Sequence, residues 1–193
     1  MQAFQKLTDL SMKPEFFSRD PRKVAKELLG CKIIKNGVKA EIVETEAYLG
    51  TEDPASHACN GKTDRNEPMF EKPGKAYVYV SYGIHNMFNI VAHEQDEVGA
   101  VLIRAVRPVE GLEDMKERRG FEEEEKLCDG PGKLSEALNI GKKDNRKDLL
   151  SGDFRIEKGN NHEEVVESSR IGISEGLDLE YRYFKRGSGY IST

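Results

Sequence analysis

Apolar and polar positions alternate in two short runs between Cys31 and Gly50, CKIIK and VKAEIVETEAYLG, and Asn36-Gly37 lies between them. A period of two broken by Asn-Gly predicts a β-hairpin. Just before it, SRDPRKVAKELLG carries the punctuation of a helix: Asp20 as N-cap, Pro21 in the first turn and Gly30 as the stop. KAYVYVSYG, IHNMFNIVAH and GAVLIRAVRP predict three more strands. GLEDMKERRG and GPGKLSEALNIG predict helices, the second stopped at Gly141. DFRIEKG, SRIGIS and EYRYFKRGSGYIS return to short strands, while TEDPASHACNGKTDRNEPMF is a long polar loop. Loops of that length in a compact domain are usually functional or disordered. Strands joined through hairpins, with helices grouped apart, predict an α+β fold with a largely antiparallel sheet. No linker or repeat divides the chain, so residues 1–193 are expected to form one domain.

Strict alternation along EIVETEAYLG puts Ile42, Glu44, Glu46 and Tyr48 on one face, and Val43, Thr45 and Ala47 on the other. A face that starts apolar and ends Glu, Glu, Tyr meets either water or chemistry. Strand glutamates usually face water. Set among apolar and aromatic groups, however, a carboxylate has a raised pKa and suits general-base work. An acid and base pair across a sugar bond is the other option, although carboxyls two residues apart on a strand lie closer than an intervening substrate needs. Tyr77 and Tyr79 share one face of the next strand, with Val78, Val80 and Tyr82 on the other. Tyrosines often form an amphipathic rim; a ring can also stack on a base or, at a hairpin tip, wedge between bases. His57 and Cys59 invite a zinc reading, but no CxxC or HxxxH supplies the remaining ligands, so no metal and no cofactor are expected. The spacing of zinc-dependent base deaminases is missing too. GPGK at Gly130–Lys133 lacks Walker spacing and reads as a helix-starting turn.

Charge complicates the picture. The chain has 30 basic and 35 acidic residues, a net charge of −5, which by itself argues against a phosphate-rich partner. The distribution is uneven: FEEEEK at Phe121–Lys126 gathers four acids, whereas YRYFKR at Tyr181–Arg186 is basic. Three widely spaced cysteines suit reduced thiols in a cytoplasmic protein. The opening MQAFQKLTDLSMKPEFF lacks the pattern of a secretory leader, and no apolar run is long enough to span a membrane.

Several long motifs in register carry a resemblance. IVETEAYLG, DPASHACNGKTDRNEPMF, KPGKAYVYVSYGIHNMFNIV and VLIRAVRPVEGLE, followed by LCDGPGKLSEAL and RYFKRGS, resemble the alkyladenine (3-methyladenine) DNA glycosylase family of the mammalian-type fold, in its bacterial branch. The likeness runs from about Glu15 to Ser188. It implies a single α+β domain with a curved antiparallel sheet, flanking helices and a protruding DNA-binding hairpin. It also implies a monomeric, cytoplasmic, nucleoid-associated repair enzyme that excises alkylated purines from double-stranded DNA. By that resemblance Glu46 is the general base that activates water, with Arg104 and the backbone of Ile171 helping to hold it. Tyr48 and Tyr79 sandwich the flipped base, His57 hydrogen-bonds its edge, Asn89 crowds a guanine 2-amino group, and Tyr82 is the wedge. Glu44 is left a supporting or merely solvated role.

Two features depart from the pattern: RRGFEEEEKL is shorter and more acidic than expected beside DNA, and His85 is polar where the vertebrate branch has an aromatic residue. A non-catalytic nucleic-acid binding module and a hydrolase of small nucleosides or glycosides remain the alternatives. Glu46 discriminates the first, since only catalysis requires it beside a pocket.

Overall fold

Asn36 and Gly37 both take positive φ, 50° and 84°, and close the predicted turn between β1 (Lys32–Lys35) and β2 (Val38–Tyr48). The structure is a computed structural model that describes residues 10–159 and 163–192; the first nine residues of the stretch examined for a leader lie outside them. Two helices precede the hairpin, α1 (Pro14–Phe17) and α2 (Pro21–Leu28). Asp20 caps α2 as expected, its Oδ1 accepting from the Arg22 N–H at 2.8 Å.

Beyond β2 come β3 (Ala76–Ser81), β4 (His85–Val91) and β5 (Ala100–Glu110). Three helices follow, α3 (Leu112–Arg119), α4 (Glu124–Leu127) and α5 (Pro131–Ala137). The chain closes with β6 (Phe154–Glu157), β7 (Val165–Ser168) and β8 (Arg182–Lys185). The strands form one sheet in the order β3-β4-β5-β2-β1-β6, with β8 on the upper half of β2 and β7 outside β8. The pairings are antiparallel, so the fold is the expected α+β domain with a curled antiparallel sheet. No helix among the described residues is long and apolar enough to cross a membrane.

The sheet's two faces differ in role. Ala40, Ile42 and Ala47 of β2, Val101, Ile103 and Val106 of β5, and Phe88 and Ile90 of β4 join one buried core. Val24, Ala25 and Leu28 of α2 and Leu134 and Ala137 of α5 cover them. Thr45 points the same way and donates to the Ala25 carbonyl at 2.9 Å. Ile42 therefore lies on the face of Thr45 and Ala47, where simple alternation puts it with Glu46. The cause is a pair of β-bulges: the β2–β5 register steps from Ile42↔Val106 to Glu44↔Ala105 and then to Thr45↔Ile103. Each strand carries one extra residue there, which reverses the parity of the side chains.

Four more differences are local. Helix α5 ends at Ala137, before Gly141, because Asn139 takes φ 52° and supports a Schellman closure, with Ile140 N–H on Ser135 O at 2.7 Å. SRIGIS is a loop, and the strand lies earlier, at Val165–Ser168. Within EYRYFKRGSGYIS only Arg182–Lys185 pairs. The acidic run holds the short α4, whose Glu124 accepts from the Tyr190 hydroxyl at 2.8 Å.

Strand β4 pairs with β5 only through Asn89–Val91, so the rest of the β3–β4 hairpin continues as a free two-stranded ribbon. At its tip Tyr82 and Gly83 take φ 50° and 76°, and Ile84 N–H bonds Ser81 O at 3.1 Å. The tip end of the ribbon rests on the first turn of α5: a Cβ placed on Gly132 would come 3.0 Å from His85 Nδ1, so glycine permits this approach. His85, paired with Ser81 beside the turn, thus lies at the tip end of the ribbon against α5.

Candidate active site

Sheet register sets a transverse row on the face opposite the helices. Glu46 of β2 stands beside Leu102 of β5, Leu102 beside Asn89 of β4, and Asn89 beside Tyr77 of β3. A pocket of about 500 Å³ opens above this row. Tyr48, His57, Tyr79, Tyr82, Asn89, Arg104 and Ile171 line it, so seven residues singled out in the sequence converge on one cavity. Glu46 lies immediately behind the wall and is fully buried. Neither glutamate meets bulk solvent, because Glu44 is fully buried as well.

Glu46 is heavily hydrogen-bonded. Its Oε1 accepts from the Ile171 N–H at 2.7 Å and lies 3.2 Å from Arg104 Nη1; its Oε2 accepts from the Tyr48 hydroxyl at 2.8 Å. Burial raises its pKa, against the Arg104 charge and these donors, while the neighbouring Glu44 charge raises it further. A carboxylate has about four acceptor positions, and three are taken here. All three partners reach the pocket wall. Ile171 makes its contact from the loop whose composition predicts a strand. Free of a ladder, its N–H turns to Glu46 and its carbonyl accepts from Arg104 Nη1 at 3.5 Å.

Residues not singled out in the sequence hold this arrangement. Asp53 and Arg170 form a fully buried bidentate pair, both contacts at 2.7 Å. Arg170 also donates to the Ala47 carbonyl at 3.0 Å, and its guanidinium lies 4.7 Å from the centre of the Tyr48 ring. The pair therefore braces Tyr48 from behind and fixes the residue preceding Ile171. Asp53 further accepts from the Leu49 and Ala55 N–H groups, at 3.0 and 3.1 Å, and so shapes the start of the polar loop. Asn66 organises the rest of that loop by donating to the carbonyls of His57 (2.7 Å) and Gly61 (2.8 Å). Cys59, paired with His57 in the zinc reading, instead accepts from Asn60 Nδ2 at 3.3 Å.

His57 Nδ1 lies 3.0 Å from the Tyr77 hydroxyl, and its ring meets Tyr79 edge-on at 4.6 Å. Burial lowers its pKa, with the Arg65 charge adding to the effect, so the ring is neutral near pH 7. Burial also holds the Tyr77 phenol protonated. When Tyr77 donates to Nδ1, the ring proton sits on Nε2. Asn89 donates its amide hydrogens to the Tyr77 and Met87 carbonyls, both at 3.2 Å, which ties its side chain to the sheet. Tyr82, at the outer edge of the pocket, is 93% exposed at the ribbon tip. A non-glycine residue with positive φ costs on the order of 1–3 kcal/mol. Tyr82 thus combines a strained backbone with an exposed ring.

Comparison with known proteins places similarity along most of the chain. A family model described as Methylpurine-DNA glycosylase (MPG) matches residues 15–189. A protein of Chlorobium phaeovibrioides is 43% identical over 188 residues, covering 94% of this chain and 96% of that relative. A protein of Rhodopseudomonas palustris strain BisB18 is 45% identical over 181 residues, covering 94% and 90%. One of Carboxydothermus hydrogenoformans is 45% identical over 185 residues, covering 92% and 96%. All three bear the name "Putative 3-methyladenine DNA glycosylase".

The Asp53–Arg170 pair generates a stability prediction. Breaking a buried ion pair by neutralising one partner typically costs about 3–5 kcal/mol. Asp53→Asn is therefore expected to lower the urea midpoint by an equivalent amount, and a midpoint equal to the parent's would show that the pair braces nothing.

Proposed function

The chain belongs to the methylpurine-DNA glycosylase family, and on that premise we propose that its pocket receives an alkylated purine flipped out of duplex DNA, whose N-glycosidic bond is hydrolysed by water activated at Glu46. It is a monofunctional DNA glycosylase acting on 3-methyladenine, and the product is an abasic site. The observation that carries the mechanism is Glu46 itself: a buried carboxylate held by Tyr48, Arg104 and Ile171, with one acceptor position open behind a pocket walled by aromatic rings.

A base inside the duplex is out of reach, so the nucleotide swings out at a cost of a few kcal/mol. Stacking returns about 1–3 kcal/mol per base, and Tyr48 and Tyr79 supply the two rings. Methylation at purine N3 or N7 makes the base cationic, which favours an electron-rich aromatic clamp. His57, with its proton on Nε2, donates to the base edge, while Asn89 limits the space for a guanine 2-amino group. Tyr82 enters the gap left in the helix, as wedging side chains do in the minor groove.

In the chemical step Glu46 takes a proton from water as the oxygen attacks C1′. The bond from C1′ to the purine nitrogen breaks, and its electron pair leaves with the base. A cationic purine departs as a neutral molecule, so no general acid is required. A neutral purine such as hypoxanthine or ethenoadenine would need a proton, which makes the alkylated bases the better substrates. Arg104 keeps Glu46 ionised and, with the Ile171 backbone, orients the water. No amine attacks the sugar, so the strand stays intact.

Net charge of −5 does not oppose this. Two acids near the loop are paired: Arg146 bridges Glu67 and Glu71, both at 2.5 Å, and Lys62 meets Glu67 at 3.1 Å. Arg65 stays at the pocket rim, 5.4 Å from the Tyr79 ring centre.

Three outcomes are expected. Glu46→Gln should cut release of 3-methyladenine from alkylated duplex DNA by at least about a thousandfold while leaving duplex binding intact, and full activity would sink the catalytic assignment. The parent rate should fall as pH is lowered, since protonation silences the base, with a midpoint above the ordinary glutamate value of 4.5. That midpoint reports Glu46 amid Glu44 and Tyr48 of β2, Tyr79 of β3, Arg104 of β5, and Arg170 and the Ile171 N–H of the loop. Tyr82→Ala should weaken binding and flipping in duplex DNA by roughly tenfold or more yet spare release from an already unpaired lesion. Equal losses on both substrates would make Tyr82 merely structural.

A further inference from the structure

Glu44 and Ser192 are absent from the pocket wall, yet they meet Arg104, the one cation among the described residues that touches Glu46. Glu44 Oε1 lies 3.2 Å from Arg104 Nε and 2.6 Å from Arg182 Nε, and accepts from the Ser192 hydroxyl at 2.8 Å. Its Oε2 accepts from the Ser192 N–H at 2.5 Å. The Ser192 oxygen in turn accepts from Arg104 Nε at 3.1 Å. Three buried groups thus form a closed triangle on Arg104 Nε, and Arg182 meets the same Glu44 oxygen.

From this geometry we propose that Ser192 and Glu44 are positioning residues that set the Arg104 guanidinium against Glu46. A guanidinium is planar and rigid, so fixing Nε fixes where the rest of the fork points. Here it brings Nη1 within 3.2 Å of Glu46 and 3.5 Å of the Ile171 carbonyl. Arg104 needs such a guide because it occupies the bulge of β5, where the ladder no longer dictates its direction. Ser192 suits that purpose because it donates to Glu44 and accepts from Arg104 at once, so its one oxygen fixes the angle between them. Without that oxygen, Nε keeps only the longer contact to a carboxylate already paired with Arg182. The guanidinium is then free to turn within the plane of Glu44 and withdraw from Glu46.

The inference rests on the glycosylase reading, and its test separates the two. Single-turnover base release from alkylated duplex DNA is measured for the full-length parent, Ser192→Ala and Ser192→Thr, together with the duplex concentration giving half-maximal rate and the melting temperature. Ser192→Ala should lower the maximal rate by about 10–100-fold, the effect of losing hydrogen bonds to charged groups. The half-maximal concentration should stay within about twofold, and Ser192→Thr, which keeps the hydroxyl, should recover most of the rate. A crystal structure of Ser192→Ala should place Arg104 Nη1 beyond about 4 Å from Glu46. An unchanged maximal rate, or a crystal structure that retains the Arg104–Glu46 contact, overturns the proposal. So does a loss that tracks the melting temperature and is not recovered by threonine. A parent that releases no base defeats the glycosylase reading instead, and the crystal structure still decides the positioning role.

Discussion

Two buried carboxylates two positions apart on one strand have to be neutralised where they stand, and Arg104 is the cation they share. Removing an ion from water costs several kcal/mol even after relaxation, and only close pairing and hydrogen bonding return it. Much of the local architecture answers that demand. Strand β8 lies beside Glu44–Glu46 and brings Arg182. Ser192 supplies an N–H and a hydroxyl to Glu44. Ile171 and Tyr48 supply the donors to Glu46. Glu44 is held by Ser192 and Arg182, which lie away from the pocket, whereas the three groups that hold Glu46 all line it. In the proposed mechanism that difference leaves Glu44 as counter-ion and Glu46 as the base.

Paired bulges in β2 and β5 make this possible. With strict alternation, Ile42 and Glu46 would share a face, and either the core would receive a carboxylate or the pocket an isoleucine. One extra residue in each strand keeps Ala40, Ile42, Thr45 and Ala47 on the helix side and turns Glu44, Glu46 and Tyr48 to the other. Register is recovered at Glu46↔Leu102, so the row through Asn89 to Tyr77 stays continuous. The resulting sheet packs a core on one face and lines the pocket on the other.

What the sequence disclosed follows the range of the interactions. Local signals were legible: Asp20 and Pro21 start a helix, Asn36-Gly37 closes a hairpin, and Tyr77 and Tyr79 alternate with Val78 along β3. The bulge was not legible, since nothing in IVETE distinguishes a strand from a bulged strand until its partner is known. The stop at Asn139 was hidden because glycine two residues later is the stronger local cue. SRIGIS has the composition of a strand, yet Arg170 is drawn away to Asp53, 117 positions earlier in the chain, and the backbone follows it. The motif resemblance pointed to Glu46, Tyr48 and Arg104, but Asp53, Arg170, Asn66 and Ser192 act through distant partners and carry no local mark.

The proposed catalysis depends above all on Glu46 being held with a single acceptor position open to the water that attacks the sugar. A crystal structure of the protein on duplex DNA carrying a cleavage-resistant alkylated purine nucleotide tests this most directly. The purine is expected between Tyr48 and Tyr79, with one ordered water bonded to Glu46 and positioned opposite the departing base at C1′. A bound purine with Glu46 still sealed off and no water between it and C1′ would contradict that picture.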